Sequence, residues 1–426
     1  MKFISLLLLL NNIKNNVMYR IKIIVIISVS LLSLATEAQN YVVPGTIINH
    51  SPASSGIYIG CPGIAITDKG IYLAKHSEFG PGSTEWESAV THVYRSEDCG
   101  TTWTRISTIN GLFWASIFTY NNAVYLLGTD KHHGNTVIMR SDDEGKTWTK
   151  PVDGNTGLLL KGQYHTAPVP VLFHNGRIWR AMEDASGAMS QGGGEWGGPH
   201  YGSFIMSAPL NADFLRQDNW TFSNVVKRKQ KWLDGQTRAW LEGNVVPTLQ
   251  SGVVCILRVN FTREQGPARG DIAAIIQVNK NGKKAKFNSK KGFIDLPGGD
   301  KKFTIRYDSV SNKYWTLTNY VPSQHKGLIH SDRTRNTLAL ACSDNLHDWD
   351  VRAVILYHPD IYKHAFQYVD WLFEGEDIIA VSRTAYDDEF GGAFNAHDAN
   401  YLTFHRIKNF RSLKDTDPET SFLRSE

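Results

Sequence analysis

"RSEDCGTTWTRI" at Arg95–Ile106 and "RSDDEGKTWTKP" at Arg140–Pro151 are one phrase written twice, with Ser96 and Ser141 standing 45 residues apart. Both fit S-x-D-x-G-x-T-W, the Asp-box pattern. In this pattern the Asp carboxylate accepts backbone N–H groups across a tight turn, the Gly supplies a positive φ, and the Trp packs between neighbouring sheets. "CSDNLHDW" at Cys342–Trp349 is a degenerate third copy. The motif builds structure and carries no catalytic implication.

A second repeat runs between these turns. "YIGCPGIAITDKGIYLAKH" (Tyr58–His76) and "YHTAPVPVLFHNGRIWRAMED" (Tyr164–Asp184) share a Tyr, a Pro four residues on and a turn Gly at the twelfth. "HAFQYVDWLFEGEDIIAVSRT" (His364–Thr384) places His364 eleven residues before Gly375, as His165 stands eleven before Gly176. Three further stretches share the strand, turn, strand logic, which gives six countable units. Short strands, repeated turns and no long helical periodicity predict an all-β propeller, in which residues preceding successive inner strands converge on one axial pocket.

Composition agrees: aromatics make up 11% of 426 residues, with 12 Trp and 36 Gly, as expected of a turn-rich β protein. The first segment reads as an export signal over residues 1–38, with Arg20 and Lys22 before an apolar run from Ile23 to Leu34 and small residues at Ala35 and Ala38. That predicts a periplasmic or secreted protein with no stable membrane insertion after cleavage. A single propeller domain over 40–411 and a polar tail over 412–426 are expected to follow. Loss of Lys2, Lys14, Arg20 and Lys22 against Glu37 lowers the net charge from +4 to +1. A nearly neutral chain gives no reason to expect nucleic acid as a partner. The four Cys form no CxxC pair, and Cys255 and Cys342 read as buried apolar residues. No metal or other cofactor is expected, and the protein is expected to be a monomer.

Tyr164, His165, the His132–His133 pair, Arg180 and His364 all fall near strand mouths. Tyr, His and Arg suit β-elimination beside a uronate, where a cation neutralises the carboxylate and a Tyr or His moves the proton. Hydrolysis more often needs paired carboxyl groups. Each residue also has a structural reading: a lone His at a strand end is commonly a hydrogen-bonded structural group, and Arg180 has Glu183 and Asp184 within its own blade. Glu242 reads as a catalytic carboxylate or as a solvated loop residue. Tyr201 and His200, beside the Gly-rich stretch Ser186–Phe204, are within reach of a substrate. Lys227, Arg228, Lys229 and Lys231 form a basic loop suited to steering an acidic glycan.

"NHSPASSGIYIGCPGIAI", "GTDKHHGNTVIMRSDDEGKTWT", "YHTAPVPVLFHNGRIWRAMEDA" and "NYLTFHRIKNFR" together resemble the seven-bladed propellers that include ulvan lyases, rhamnosyl-glucuronate lyases and relatives described as α-L-rhamnosidases or oligosaccharide dehydratases. The resemblance spans Gly45–Arg411 and implies seven blades, the last completed by "YVVPGTIINH" meeting "NYLTFHRI". It implies a Tyr followed sixteen residues later by an Arg, which Tyr164 and Arg180 match. The family's pair of His twenty residues apart is incomplete, because Phe113 stands twenty before His133. This implies exo-acting elimination at a glucuronate or iduronate linked to rhamnose, on an acidic oligosaccharide or polysaccharide.

Tyr164, His132, His133, His165 and Arg180 are therefore the catalytic candidates, and His50, Tyr201, His364 and Arg383 the substrate-binding ones. The rhamnosidase description invokes one His on the opposite propeller face, and His50 is the matching position. A sialidase is a further reading, with Arg258, Arg306 and Arg383 as carboxylate-binding cations, although "YIGCPGIAI" lacks an early Arg. A non-catalytic glycan binder using Trp114, Trp179, Trp196 and Trp240 is the fourth.

Overall fold

The computed structural model describes residues 42–187, 198–262 and 271–414. The export segment 1–38, the central part of the Gly-rich insertion with Trp196, and the tail beyond residue 414 lie outside the described residues. The chain divides into Met1–Val42 and Val43–Glu426, and every described strand belongs to the second unit.

Among the described residues the fold is all-β and propeller-like, with strands grouped in six consecutive antiparallel meanders. Blade I runs from Tyr58–Ile66 to Thr104–Asn110, blade II from Phe113–Tyr120 to Leu158–His165, and blade III from Leu172–His174 to Val226–Lys227. Blade IV runs from Thr237–Pro247 to Phe293–Asp295 and blade V from Thr304–Asp308 to Asp350–Tyr357. Blade VI holds Ala365–Glu374, Asp377–Ala385 and Tyr401–Ile407, and takes its outermost strand, Thr46–His50, from the other end of the chain. Thr46 pairs with Phe404 and His50 with Tyr401, so the predicted meeting of the chain ends is present. It closes a sixth blade; the seventh that the resemblance implied has no strands among the described residues. Blades II and III merge into one hydrogen-bonded sheet, because Tyr164 and His165 at the end of blade II pair with Asp184 and Glu183 of blade III.

The core lies between blades. Six apolar clusters fill the six interfaces around the ring: Leu73 with Leu126 joins I to II, Leu159 with Met206 II to III, and Trp179 with Leu257 III to IV. Ile256 with Tyr314 joins IV to V, Leu340 with Trp371 V to VI, and Ile379 with Ile64 returns VI to I. A lone four-stranded sheet has two faces to cover, and each blade covers its neighbour's.

The Asp-boxes rivet the outer turns. Asp98 accepts from the Thr102 N–H at 2.9 Å and the Thr102 hydroxyl at 2.6 Å, and Asp143 does the same with Thr147 at 2.9 and 2.6 Å. Trp103, Trp148 and Trp349 each donate the indole N–H to a carbonyl three residues earlier at 3.1 Å. The third copy has Leu346 at φ 68° where the others have Gly100 and Gly145 at 92° and 89°. The turn geometry therefore survives loss of the glycine, at the expense of a strained residue.

Beneath the axial pocket the interior is cationic. Lys75 is fully buried, donating to the Cys61 carbonyl at 2.9 Å. Burial, with Arg180 and Lys302 nearby, pushes its ammonium down to about 7, against the pull of Cys61 and Asp370. Between about pH 7 and the ordinary lysine range near 10.5 the unfolded chain holds a proton the folded chain lacks, so stability should rise with pH across that window. Denaturant titrations from pH 6 to 9 should show that rise flattened in Lys75→Met, with a gain of roughly 1–3 kcal/mol at neutral pH and below.

Candidate active site

Inner strands carry a recurring irregularity. In four of them, two residues oppose one on the neighbouring strand: at Gly60–Gly63, Phe113–Ser116, Leu241–Asn244 and Gln367–Asp370. Such bulges re-aim side chains. Three place a non-glycine residue in the left-handed region, Trp114 at φ 48°, Glu242 at 59° and Tyr368 at 53°. Strain held at three matching positions around one axis marks a site rather than a packing accident. All three side chains line one cavity of about 340 Å³. Blade I fills the corresponding bulge with Cys61, which is buried.

Five of the six blades contribute to that cavity. Its walls hold Phe79 and Glu85 from blade I, His132 and His165 from II, Arg258 from IV, Arg335 from V, and Arg383 and His397 from VI. The charged centre is compact. Arg258 Nη1 donates to Glu242 Oε2 at 2.9 Å and to Tyr368 Oη at 3.3 Å, while the Tyr368 hydroxyl donates to Glu242 Oε1 at 3.0 Å. The Arg383 and Arg335 guanidinium groups lie 4.9 and 5.5 Å from the centre of the Tyr368 ring. Burial alone would raise the Glu242 carboxyl; Arg258, with help from His165 and Tyr368, outweighs it and holds the group below its ordinary value. Burial and Glu242 raise the Tyr368 phenol, which stays protonated at neutral pH.

Each arginine is fixed on one side and open on another. Arg258 Nε donates to the Asp300 carbonyl at 2.7 Å, and Arg335 Nε to the Asp332 carbonyl at 2.8 Å. Arg383 sits over Phe79 at 4.3 Å and donates Nη2 to the His397 carbonyl. Arg258 Nη2, Arg335 Nη2 and Arg383 Nη1 have no acceptor among the described residues, so the three cations present unspent donors beside Tyr368.

Three imidazoles line the same cavity, each tied by Nδ1 to a carboxylate: His132 to Glu85 at 3.1 Å, His165 to Glu183 at 3.0 Å and His397 to Asp398 at 2.7 Å. Placing the proton on Nδ1 leaves Nε2 as an acceptor. Burial lowers His132 despite Glu85, keeping it neutral near pH 7. His132 also stacks on Trp86 at 4.0 Å.

The sequence candidates divide. His132, His165 and Arg383 line the cavity. His133 and Tyr201 stand directly behind, joined by a 2.6 Å hydrogen bond, with Tyr201 stacked on His165 at 4.6 Å. Burial, together with His132 and His165, depresses His133 to about 3, a buried neutral group. Tyr164 and Arg180 are not among the lining residues. Tyr164 packs on Phe204 in the core between blades II and III. Arg180 is fully buried and donates to Thr166 Oγ1 and to the Ala167 carbonyl, both at 2.8 Å, rather than pairing with Glu183 or Asp184. Tyr164 pairs at the end of one strand and Arg180 sits mid-strand in the next blade, so their sixteen-residue spacing does not become a shared site.

His50 binds Asp388 at 2.9 Å and stacks on Tyr401. Its strand register puts it at the same end of blade VI as Arg383, not on the opposite face. His364 stacks on His358 at 3.5 Å and binds Asp360 at 2.8 Å. Arg306 joins Asp370 and lines an apolar cavity of about 440 Å³ with Val246 and Phe373, whereas Arg335 lines the cavity that holds Arg258 and Arg383. Trp179 and Trp240 are core residues. Glu85, Arg335, Tyr368 and His397 escaped sequence reading: "AFQYVDW" does not distinguish Tyr368 from an ordinary strand residue, and the bulge that turns it inward has no residue signature.

No family model and no curated protein matches this chain. Solved structures do share its fold. A Hadza microbial sialidase aligns with a TM-score of 0.56 at 13% identity, covering 87% of this chain and 69% of that one. A protein of unknown function from Dyadobacter fermentans aligns at 0.54 and 12% identity, covering 86% and 100%. The Fusarium graminearum α-L-arabinofuranosidase crystallised with arabinobiose aligns at 0.52 and 10% identity, covering 86% and 97%. Likeness at these identities speaks for the propeller fold alone.

The two arginine environments predict different phenotypes. Arg180→Met leaves the acceptors Thr166 and Ala167 unmatched inside the core and should lower stability by about 3 kcal/mol or more. Arg335→Met also frees the Asp332 carbonyl and Gln367 Oε1, but beside a cavity that water can enter, so it should lower stability less than Arg180→Met while weakening binding of small carboxylates. Thermal denaturation and calorimetric titration of both variants check this.

Proposed function

We propose that the chain is an exported glycoside hydrolase that removes a terminal acidic sugar with Tyr368 as nucleophile. One observation carries the reading: Arg258 meets the Tyr368 hydroxyl that Glu242 is placed to deprotonate, and Arg335 and Arg383, each with an open donor, stand over the same ring. A carboxylate held by Arg258, Arg335 and Arg383 would lie next to the reacting carbon. That position suits a sugar whose carboxylate is borne on the anomeric carbon itself, as in sialic acid, better than a uronate with its carboxylate across the ring. A charged nucleophile would be repelled there, whereas a tyrosine stays neutral until it reacts, and sialidases are the hydrolases that use one.

The steps follow from the chain's own groups. Tyr368 Oη bonds to the anomeric carbon as the glycosidic C–O bond breaks, and its proton passes to Glu242. The Glu85–His132 pair takes up a solvent proton on Nε2, gives it to the departing oxygen and regains it from the incoming water, while Glu242 returns its proton to the departing Tyr368 oxygen. Water displaces Tyr368 with net retention. Arg258 touches both nucleophile and base, stabilising the phenolate as it forms.

β-Elimination at a uronate is the second reading, favoured by His132 and His165, which line the cavity with Nδ1 tied to a carboxylate. The two reactions leave different products: hydrolysis releases a saturated acidic sugar, and elimination a conjugated, ultraviolet-absorbing one. Mass spectrometry of products from sialosides, ulvan oligosaccharides and rhamnosyl-glucuronates separates them. Under the proposal, Tyr368→Phe should lose about three orders of magnitude in kcat or more, and activity should persist in Tyr164→Phe. Loss in the second variant with folding intact, or a water-loss product, would overturn it.

A further inference from the structure

The rim of the cavity on blade VI exposes large aromatic side chains. Phe390, Phe394 and Tyr362 are 60%, 61% and 64% exposed. Single exposed apolar residues are ordinary; three grouped on one rim are not. They are grouped, since the Ala396 N–H donates to the Tyr362 carbonyl at 2.6 Å and Lys363 reaches the Gly391 carbonyl at 3.3 Å.

The loop that displays them is held in place. Asp388 is buried, and its Oδ1 accepts the N–H groups of Phe390 and Gly392, each at 2.8 Å. Its Oδ2 binds Asn400 at 2.9 Å and His50 at 2.9 Å. Phe390 in turn stacks on His50 at 6.1 Å, and Phe394 on Tyr58 at 5.9 Å. Each Phe ring thus has an aromatic neighbour in the fold while most of its surface meets solvent, the form of a preorganised stacking platform. The platform is continuous with the cavity, because Tyr58 meets Phe79 at 5.5 Å and Phe79 is a lining residue.

Charge distinguishes platform from cavity. The cavity wall carries Arg238, Arg258, Arg333, Arg335 and Arg383 against Glu85, Glu242 and Asp332. The rim carries Asp360, Asp387, Glu389 and Asp398 against Lys363. A polyanion running outward would meet like charge; sugars without charge would offer their C–H faces to the rings unopposed.

We propose that the Phe390–Phe394 rim is a leaving-group subsite that binds the neutral sugars of a glycan whose acidic terminal residue occupies the cavity. This rests on the hydrolase reading for the direction of the chain, and the test is chosen to part the two. Calorimetry on Tyr368→Phe would compare N-acetylneuraminic acid, sialyl-lacto-N-tetraose as a neutral extension, and a sialic acid tetramer as an acidic one. The neutral extension should bind tenfold or more tighter than the monosaccharide, and the acidic one should gain less. Adding Phe390→Ser and Phe394→Ser should bring the ratio of extended to monosaccharide affinity close to one. A ratio that survives the substitutions, or an equal gain for the acidic tetramer, overturns the proposal. If none of the three binds, the hydrolase reading fails and a glycan array decides the rim: neutral chains retained by the parent chain and lost with both serines support it, and no retention refutes it. Sedimentation of the same variants gives the last arm, since a dimer dissolved by the serines would make the rim a self-association surface and overturn the glycan assignment.

Discussion

Ring closure is the constraint on which the remainder depends. Thr46–His50 must travel from the start of the described chain to pair with Tyr401–Ile407, and only then does every blade have a neighbour on both faces. Contacts of that sequence separation are entropically expensive to form, and their return is collective: the clusters joining I to VI and I to II assemble against the same blade. Closure also fixes the axis, and with it which strand ends face one another.

Once the axis exists, the bulges set its chemistry. An unbulged strand would alternate its side chains between blade interfaces and leave none aimed along the axis. The two-for-one irregularity turns Trp114, Glu242 and Tyr368 into the cavity at the price of left-handed backbone. Glu242 and Tyr368 then share Arg258, and the carboxylate stays ionised in a buried setting because that guanidinium outweighs desolvation. The imidazoles follow another rule: His132, His165 and His397 are each oriented by a carboxylate at Nδ1.

Local motifs were legible because their physics is local. The Asp-box closes its hydrogen bonds within a few residues, so S-x-D-x-G-x-T-W reports its own turn wherever it occurs. The turn-to-strand repeats identified the inner hairpins for the same reason, and six countable units correspond to six meanders. The His132–His133 pair and His165 were found as residues preceding strands, where axial convergence is a property of the fold class. Tyr164 and Arg180 stand outside the cavity lining, since a sixteen-residue interval spans two strands and the phase of each strand decides whether its side chain meets the axis or the core.

The sequence by itself therefore determined the all-β class, the repeating blade and the Asp-box turns, since periodicity and turn chemistry act over a few residues. Tertiary structure alone decided which aromatic residues became core, and the gathering of Glu242, Arg258, Arg335, Tyr368 and Arg383 around one cavity. These residues come from three blades and meet through bulges whose position is set by strand register, a quantity that exists only once neighbouring strands have paired.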